Sequence, residues 1–94
     1  MFARNFFINV KPMSHMPFRA RLSSAVVPLL SRQEGFKNVI TFANASGNGV
    51  TATTVWDTEA NADRFQHASY GEMLEMLDPY LDGMPKFMGN CTVY

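Results

Sequence analysis

The side chains in this 94-residue chain with most scope for chemistry are two histidines, one cysteine, three tyrosines and one tryptophan. His67 and Tyr70 follow Trp56 in one stretch, VTATTVWDTEANADRFQHASY, from Val50 to Tyr70. An imidazole titrating near neutrality can take a proton from a phenol, so His67 is a candidate general base. Tyr70 can donate to a substrate oxygen, and Trp56 can stack on an aromatic ring. Asn9 can orient a ligand from the first strand, and Met73 can supply adaptable pocket lining. Each has a plainer reading beside it. His67 serves equally as a helix-end histidine, Tyr70 as a helix-packing residue, Trp56 as an anchor and Asn9 as a backbone partner. His15, before the first helix, is a second histidine at the edge of any pocket. No cysteine or carboxylate stands at ligand spacing from either histidine, so no metal is expected. No serine or threonine is singled out as a nucleophile. Cys91 reads as a small apolar strand residue, and a single cysteine excludes an internal disulfide.

Composition narrows the class. Hydrophobic residues make up 47% of the chain, with eight Phe and seven Met. A small monomer has too little interior for that bulk, so a cavity or a subunit interface is expected to take the surplus. Net charge is zero but uneven. Residues 1–47 carry +5 and residues 48–94 carry −5. The basic residues are scattered over several elements, so no nucleic-acid partner is expected. No apolar run reaches a membrane-spanning length, and MFARNFFINV is too short and broken for a secretion signal. These features predict a soluble, cytoplasmic, single domain over residues 1–94 with no membrane partner.

The elements that must position these residues follow from periodicity. Residues 3–11 alternate as a strand, with Phe6, Ile8 and Val10 on one face and Asn5, Phe7 and Asn9 on the other. Ser14 can cap a helix that carries Phe18, Leu22, Ala25, Val26, Leu29 and Leu30 on one side. Pro28 is expected to kink its last turn and Gly35 to stop it. Phe36–Ala43 is a second strand, with Phe36, Asn38, Ile40 and Phe42 sharing a face. Residues 44–49 form a hairpin turn leading to a third strand, Val50–Trp56. Gly47 and Gly49 lack the Lys-Ser/Thr context of a phosphate loop. Asp57 or Thr58 can cap a helix reaching about Ala68, with Glu59 at its positive end. Ser69 begins a second helical piece bearing Tyr70, Met73, Leu74, Leu77 and Leu81. Pro85–Tyr94 is the last strand. The order β-α-β-β-α-β predicts an α+β, ferredoxin-like fold with a four-stranded antiparallel sheet. Its outer face needs a cover, and a second copy of the sheet is an economical one.

Pro28-Leu29-Leu30, Glu34-Gly35-Phe36, Thr54-Val55-Trp56-Asp57, Ala62, Phe65, Tyr70 and Leu77 to Leu81 together resemble the antibiotic biosynthesis monooxygenase family of the dimeric α+β barrel superfamily. The resemblance covers nearly the whole chain. It implies a homodimer whose sheets pair into a dimeric α/β barrel, and a pocket in each subunit between sheet and helices. It also implies cofactor-free oxidation of a small aromatic or quinol-type compound, in which a deprotonated substrate meets O₂. Phe65 then joins Asn9, Trp56 and Met73 as a substrate-binding candidate, with His67 and Tyr70 as catalytic candidates and no cofactor. Haem-degrading members carry a helix Trp where this chain has Phe65, and an axial His where it has Glu75, so haem is not expected. Polyketide-oxidising members commonly carry an Asn where this chain has Ala52. Three readings stay open: a cofactor-independent monooxygenase, a non-catalytic binder of a small apolar ligand, and a structural dimer whose pocket is filled by its own side chains.

Overall fold

The computed structural model describes residues 1–44 and 47–94. Runs of β-branched and aromatic residues form β1 (Phe2–Asn9), β2 (Phe36–Ala43), β3 (Gly49–Trp56) and β4 (Lys86–Thr92). Helices α1 (His15–Arg21) and α2 (Val27–Ser31) lie between β1 and β2, joined by a π-helical turn, Leu22–Val26. Helices α3 (Glu59–Ala68) and α4 (Tyr70–Leu77), then a 3₁₀ turn, Asp78–Tyr80, lie between β3 and β4. The strands form one four-stranded antiparallel sheet in the order β2-β3-β1-β4. This is the ferredoxin-like α+β arrangement expected from the sequence. No helix among the described residues is long and apolar enough to cross a membrane.

One face of the sheet carries all the helices. Ile8, Val10, Val50 and Trp56 from the sheet share a buried core with Phe18, Val26, Leu30, Ala62, Phe65 and Leu77 from the helices. Cross-strand pairs from Phe2↔Trp56 to Asn9↔Gly49 fix the register of β1 on β3. A one-residue slip would turn every apolar side chain to the wrong face, so this core holds the register. Asn44 N–H donates to Gly49 O at 2.9 Å, closing the β2–β3 hairpin. Ala45 and Ser46, in the turn expected over residues 44–49, lie outside the described residues.

Three features depart from simple periodicity. First, Pro28 is met by a change of helical period. Its missing N–H is absorbed one turn earlier, where the helix widens and Val27 N–H reaches back five residues to Leu22 O. The chain then resumes as α2 and buries Leu29 and Leu30. Second, a bulge between Phe36 and Asn38 breaks the alternation of β2. Phe36 therefore packs on Trp56 at a ring-centroid distance of 5.5 Å, on the helix side. Its expected face-mates Ile40 and Phe42 are exposed on the opposite side. Third, β1 and β4 change register between Asn5 and Phe6, beside Gly89 at φ +124°. Phe87 and Asn90 consequently both approach residues on the helix side of β1, Phe6 and Arg4. Leu81 is buried as expected, but it lies in extended backbone bridged to Val10 and not on a helix face.

Gly35 does not stop the helix, which ends at Ser31. It stands at the entry to β2 with φ +80° and accepts a hydrogen bond from Asp57 N at 2.8 Å. A Cβ there would collide with the side chains of Asp57 and Asn61. Those two are themselves paired, Asn61 Nδ2 donating to Asp57 Oδ1 at 2.8 Å. That bond, above all, holds the Asp57 carboxyl below its usual range. Thr58 caps α3 by accepting from Asn61 N at 3.2 Å. The Gly35→Ala variant should therefore lose about 2 kcal/mol or more of stability from combined backbone strain and crowding. Chemical denaturation of the two proteins measures it. A loss below about 0.5 kcal/mol would contradict the assignment.

Candidate functional site

Alternation along β1 sends Phe2, Arg4, Phe6 and Ile8 to the helix side, paired with Trp56, Thr54, Ala52 and Val50 of β3. Ala52 is short, and so is Ala62 across from it on α3. A cavity of about 50 Å³ remains between sheet and helices. Phe18, Leu22, Val26 and Leu30 wall it from the first helical segment. Ala62, Phe65, Tyr70, Met73 and Leu77 wall it from α3 and α4. Two outer grooves of about 250 and 300 Å³ run between α1, the π turn and β2. Leu22 and Thr41 border all three spaces, which makes the seam between the π turn and β2 the mouth. The inner space is well below the ~150 Å³ cavity that takes up a benzene ring. An aromatic guest therefore has to extend into the outer grooves or displace the π-turn wall.

The cavity surface is almost wholly apolar, with its polar groups confined to a few positions. Trp56 is 1% exposed, and its Nε1 donates to Thr54 Oγ1 at 3.0 Å. Phe65 lies against the indole with ring centroids 5.4 Å apart. Tyr70 is half-buried and stacks on Phe6 at 5.7 Å. Burial pushes its phenol above its ordinary pKa of about 10, because the low-polarity surroundings penalise the phenolate. Tyr70 is therefore a proton donor across the working pH range. Gln66 and Thr41 also reach the lining.

Four of the six residues singled out from the sequence meet in this space: Trp56, Phe65, Tyr70 and Met73. His67 is exposed on α3 and borders none of the three spaces described, and Asn9 is exposed at the end of β1, where its carbonyl accepts from Asp82 N at 2.8 Å. His15 borders the 300 Å³ groove, its Nε2 3.3 Å from Asn48 Oδ1. No group of three or more His, Cys, Asp or Glu side chains suited to a metal ion occurs among the described residues.

Arg4 is the residue that sequence reasoning missed. It is buried and lines the cavity. Its Nε donates to Asn90 Oδ1 at 3.0 Å and its Nη2 to Asp63 Oδ1 at 2.9 Å, and the guanidinium stands 5.2 Å from the Phe2 ring centroid. The signal was available in the alternation Phe2-Arg4-Phe6-Ile8, which puts a cation in line with three apolar residues.

No family model matches the sequence, and no curated protein sequence matches it. Solved structures do match its fold. A protein of Bordetella bronchiseptica, provisionally named an antibiotic biosynthesis monooxygenase, superposes with a TM-score of 0.83 at 21% identity, covering 99% of this chain and 96% of that one. A monooxygenase of Streptomyces coelicolor, solved with nanaomycin D, gives 0.78 at 20% identity, covering 99% and 87%. SnoaB of Streptomyces nogalater, a cofactor-independent oxygenase, gives 0.72 at 16% identity, covering 99% and 91%. The chain thus has the fold of antibiotic biosynthesis monooxygenase-like structures.

The Thr54 hydroxyl is the partner that satisfies the buried indole N–H. Thr54→Val keeps the shape and removes the acceptor, so it should destabilise by about 1–3 kcal/mol, the cost of a buried donor left without a bond. Urea denaturation followed by Trp56 fluorescence checks this. A neutral result would mean that the indole finds another acceptor.

Proposed function

We propose that the chain is a cofactor-independent monooxygenase-type protein that binds a small aromatic or quinol-type compound between its sheet and helices. The observation that carries this reading is the apolar cavity built against Trp56 and Phe65, with the protonated hydroxyl of Tyr70 in its wall. Aromatic walls favour a flat, electron-rich guest. Tyr70 would donate a hydrogen bond to the substrate oxygen that gathers negative charge as the neighbouring carbon loses its proton. The resulting carbanion passes its electrons to O₂, and the hydroperoxide formed loses water. In net terms a CH₂ group and O₂ become a C=O group and H₂O. The outer grooves supply length for the parts of the guest that the inner space cannot hold.

The functional unit in this proposal is a homodimer. Ile40 and Phe42 lie exposed on the sheet face that carries no helices, and a second sheet would cover them. Sedimentation velocity at micromolar concentration should find a dimer, and a monomer would remove this part of the proposal.

A second reading is favoured by one observation. Among the described residues no His, Asp or Glu lines the cavity, so no evident side-chain base there faces the guest. The same space would then serve a binding protein without turnover. Oxygen uptake with a panel of hydroquinones and polyphenols separates the two. The oxygenase reading expects uptake, falling about 100-fold in Tyr70→Phe, the usual cost of one oxyanion donor. It also expects an alkaline limb of the rate profile above pH ~10 that disappears in that variant, because the donor is lost only as the raised phenol ionises. Quenching of Trp56 without oxygen uptake would select the binding protein.

A further inference from the structure

Burying a guanidinium is costly unless its donors are satisfied. The Arg4 side chain is 11% exposed, yet only two of its nitrogens are used within the fold. Nε is taken by Asn90 and Nη2 by Asp63. Nη1 has no acceptor among the described residues and keeps contact with solvent, because no fully buried side-chain nitrogen or oxygen there lacks a partner. Asp63 is 52% exposed, so it offsets the charge from the solvent side, where screening weakens it. Asn90 and the Phe2 ring carry no charge. Among the described residues Arg4 is also the only charged side chain in the cavity lining, whose other members are apolar or neutral polar.

We infer that Arg4 selects the ligand: the guest carries an oxyanion, and Nη1 of Arg4 binds it. This deepens the proposed function and rests on the cavity being the ligand site. In an apolar space, a charge-assisted bond is stronger than a neutral one and far less screened than at the surface. The remaining Arg4 contacts hold the guanidinium plane, so little side-chain entropy is lost when the ligand arrives. A neutral aromatic of the same shape would leave Nη1 unmatched on losing its water, which lowers its affinity. The ligand class is therefore an acidic aromatic, either an aryl carboxylate or a phenol ionised at working pH. Asn90 and Asp63 act as positioning residues through Arg4.

The test is isothermal titration calorimetry with matched pairs. 2,5-Dihydroxybenzoate against its methyl ester reads a carboxylate at constant hydroquinone. 4-Nitrophenolate against 4-nitroanisole reads a phenolate. The wild-type protein should bind the anion of at least one pair about tenfold or more tightly than its neutral partner. Arg4→Met should reduce that preference to about twofold or less, and Arg4→Lys, which keeps the charge, should retain a substantial part of it. Circular dichroism establishes that both variants are folded. If Arg4→Met does not fold, loss of the preference in Asp63→Asn with Asn90→Ala, which frees the guanidinium to turn away, supports the inference, and an unchanged preference overturns it. Equal binding of anion and neutral partner by the wild type overturns the inference and leaves the cavity reading standing. A preference that persists in Arg4→Met also overturns it. Failure of all four compounds to bind overturns the inference and the cavity reading together.

Discussion

The indole of Trp56 closes one end of the space between the two layers. It ends β3, meets Phe36 of β2 edge-on, lies against Phe65 of α3 and pairs across the sheet with Phe2. A buried side chain of this size removes some 150–250 Å² from water, worth roughly 4–6 kcal/mol by area. Its single hydrogen bond to Thr54 contributes about 1 kcal/mol. Burial therefore supplies most of the energy, and the hydrogen bond supplies orientation. A rotated indole would lose its acceptor and strand a buried donor. With the ring fixed, the exit of β3, the cap at Thr58 and the start of α3 are fixed too. The crowding of Gly35, Asp57 and Asn61 lies just outside this junction, which is why a side chain at residue 35 has no room.

The cavity follows from what surrounds this anchor. Large rings stand at Trp56, Phe65 and Phe6, while Ala52, Thr54 and Ala62 are too short to fill the gap between them. Filling that gap with a larger aliphatic residue would improve dispersion contacts, so its persistence costs stability. The one strongly polar intrusion, Arg4, costs more again. Its partners sit on β4 and α3, so a single side chain ties the sheet edge to the second helical segment. Apolar walls, a ring-sized anchor and one buried cation thus line the same space.

Hydrophobic periodicity carried the element order, because each strand and helix has a long apolar repeat that only one register can bury. It failed where the backbone breaks its own period. Nothing in FKNVITFA marks a bulge at residues 36–38, yet the bulge is what brings Phe36 to Trp56. Gly89 does mark the irregularity of β4, since its positive φ suits glycine. Pro28 announces a defect, which takes the form of a π turn upstream of the proline. His67 lies two residues beyond Phe65, about 200° around the helix, so inward placement of Phe65 turns His67 outward. Asn9 follows the inward Ile8 and takes the opposite face by the same logic. Arg4 was overlooked because charge outweighed position in reading it, although the strand period already placed it inside.

The three walls of the cavity are tied into the fold in different ways. The floor is sheet, held by strand pairing on both sides of β1, unbroken towards β3 and shifted in register at one point towards β4. The wall formed by α3 and α4 is pinned through Phe65 to Trp56 and through Asp63 to Arg4. The third wall contains the π turn, whose hydrogen bond spans five residues instead of four, and which is followed by a proline with no N–H to give. Leu22 and Val26 of this turn separate the inner cavity from the 250 Å³ groove outside. The helix defect at Pro28 thus coincides with a wall that the inner cavity shares with the outer groove.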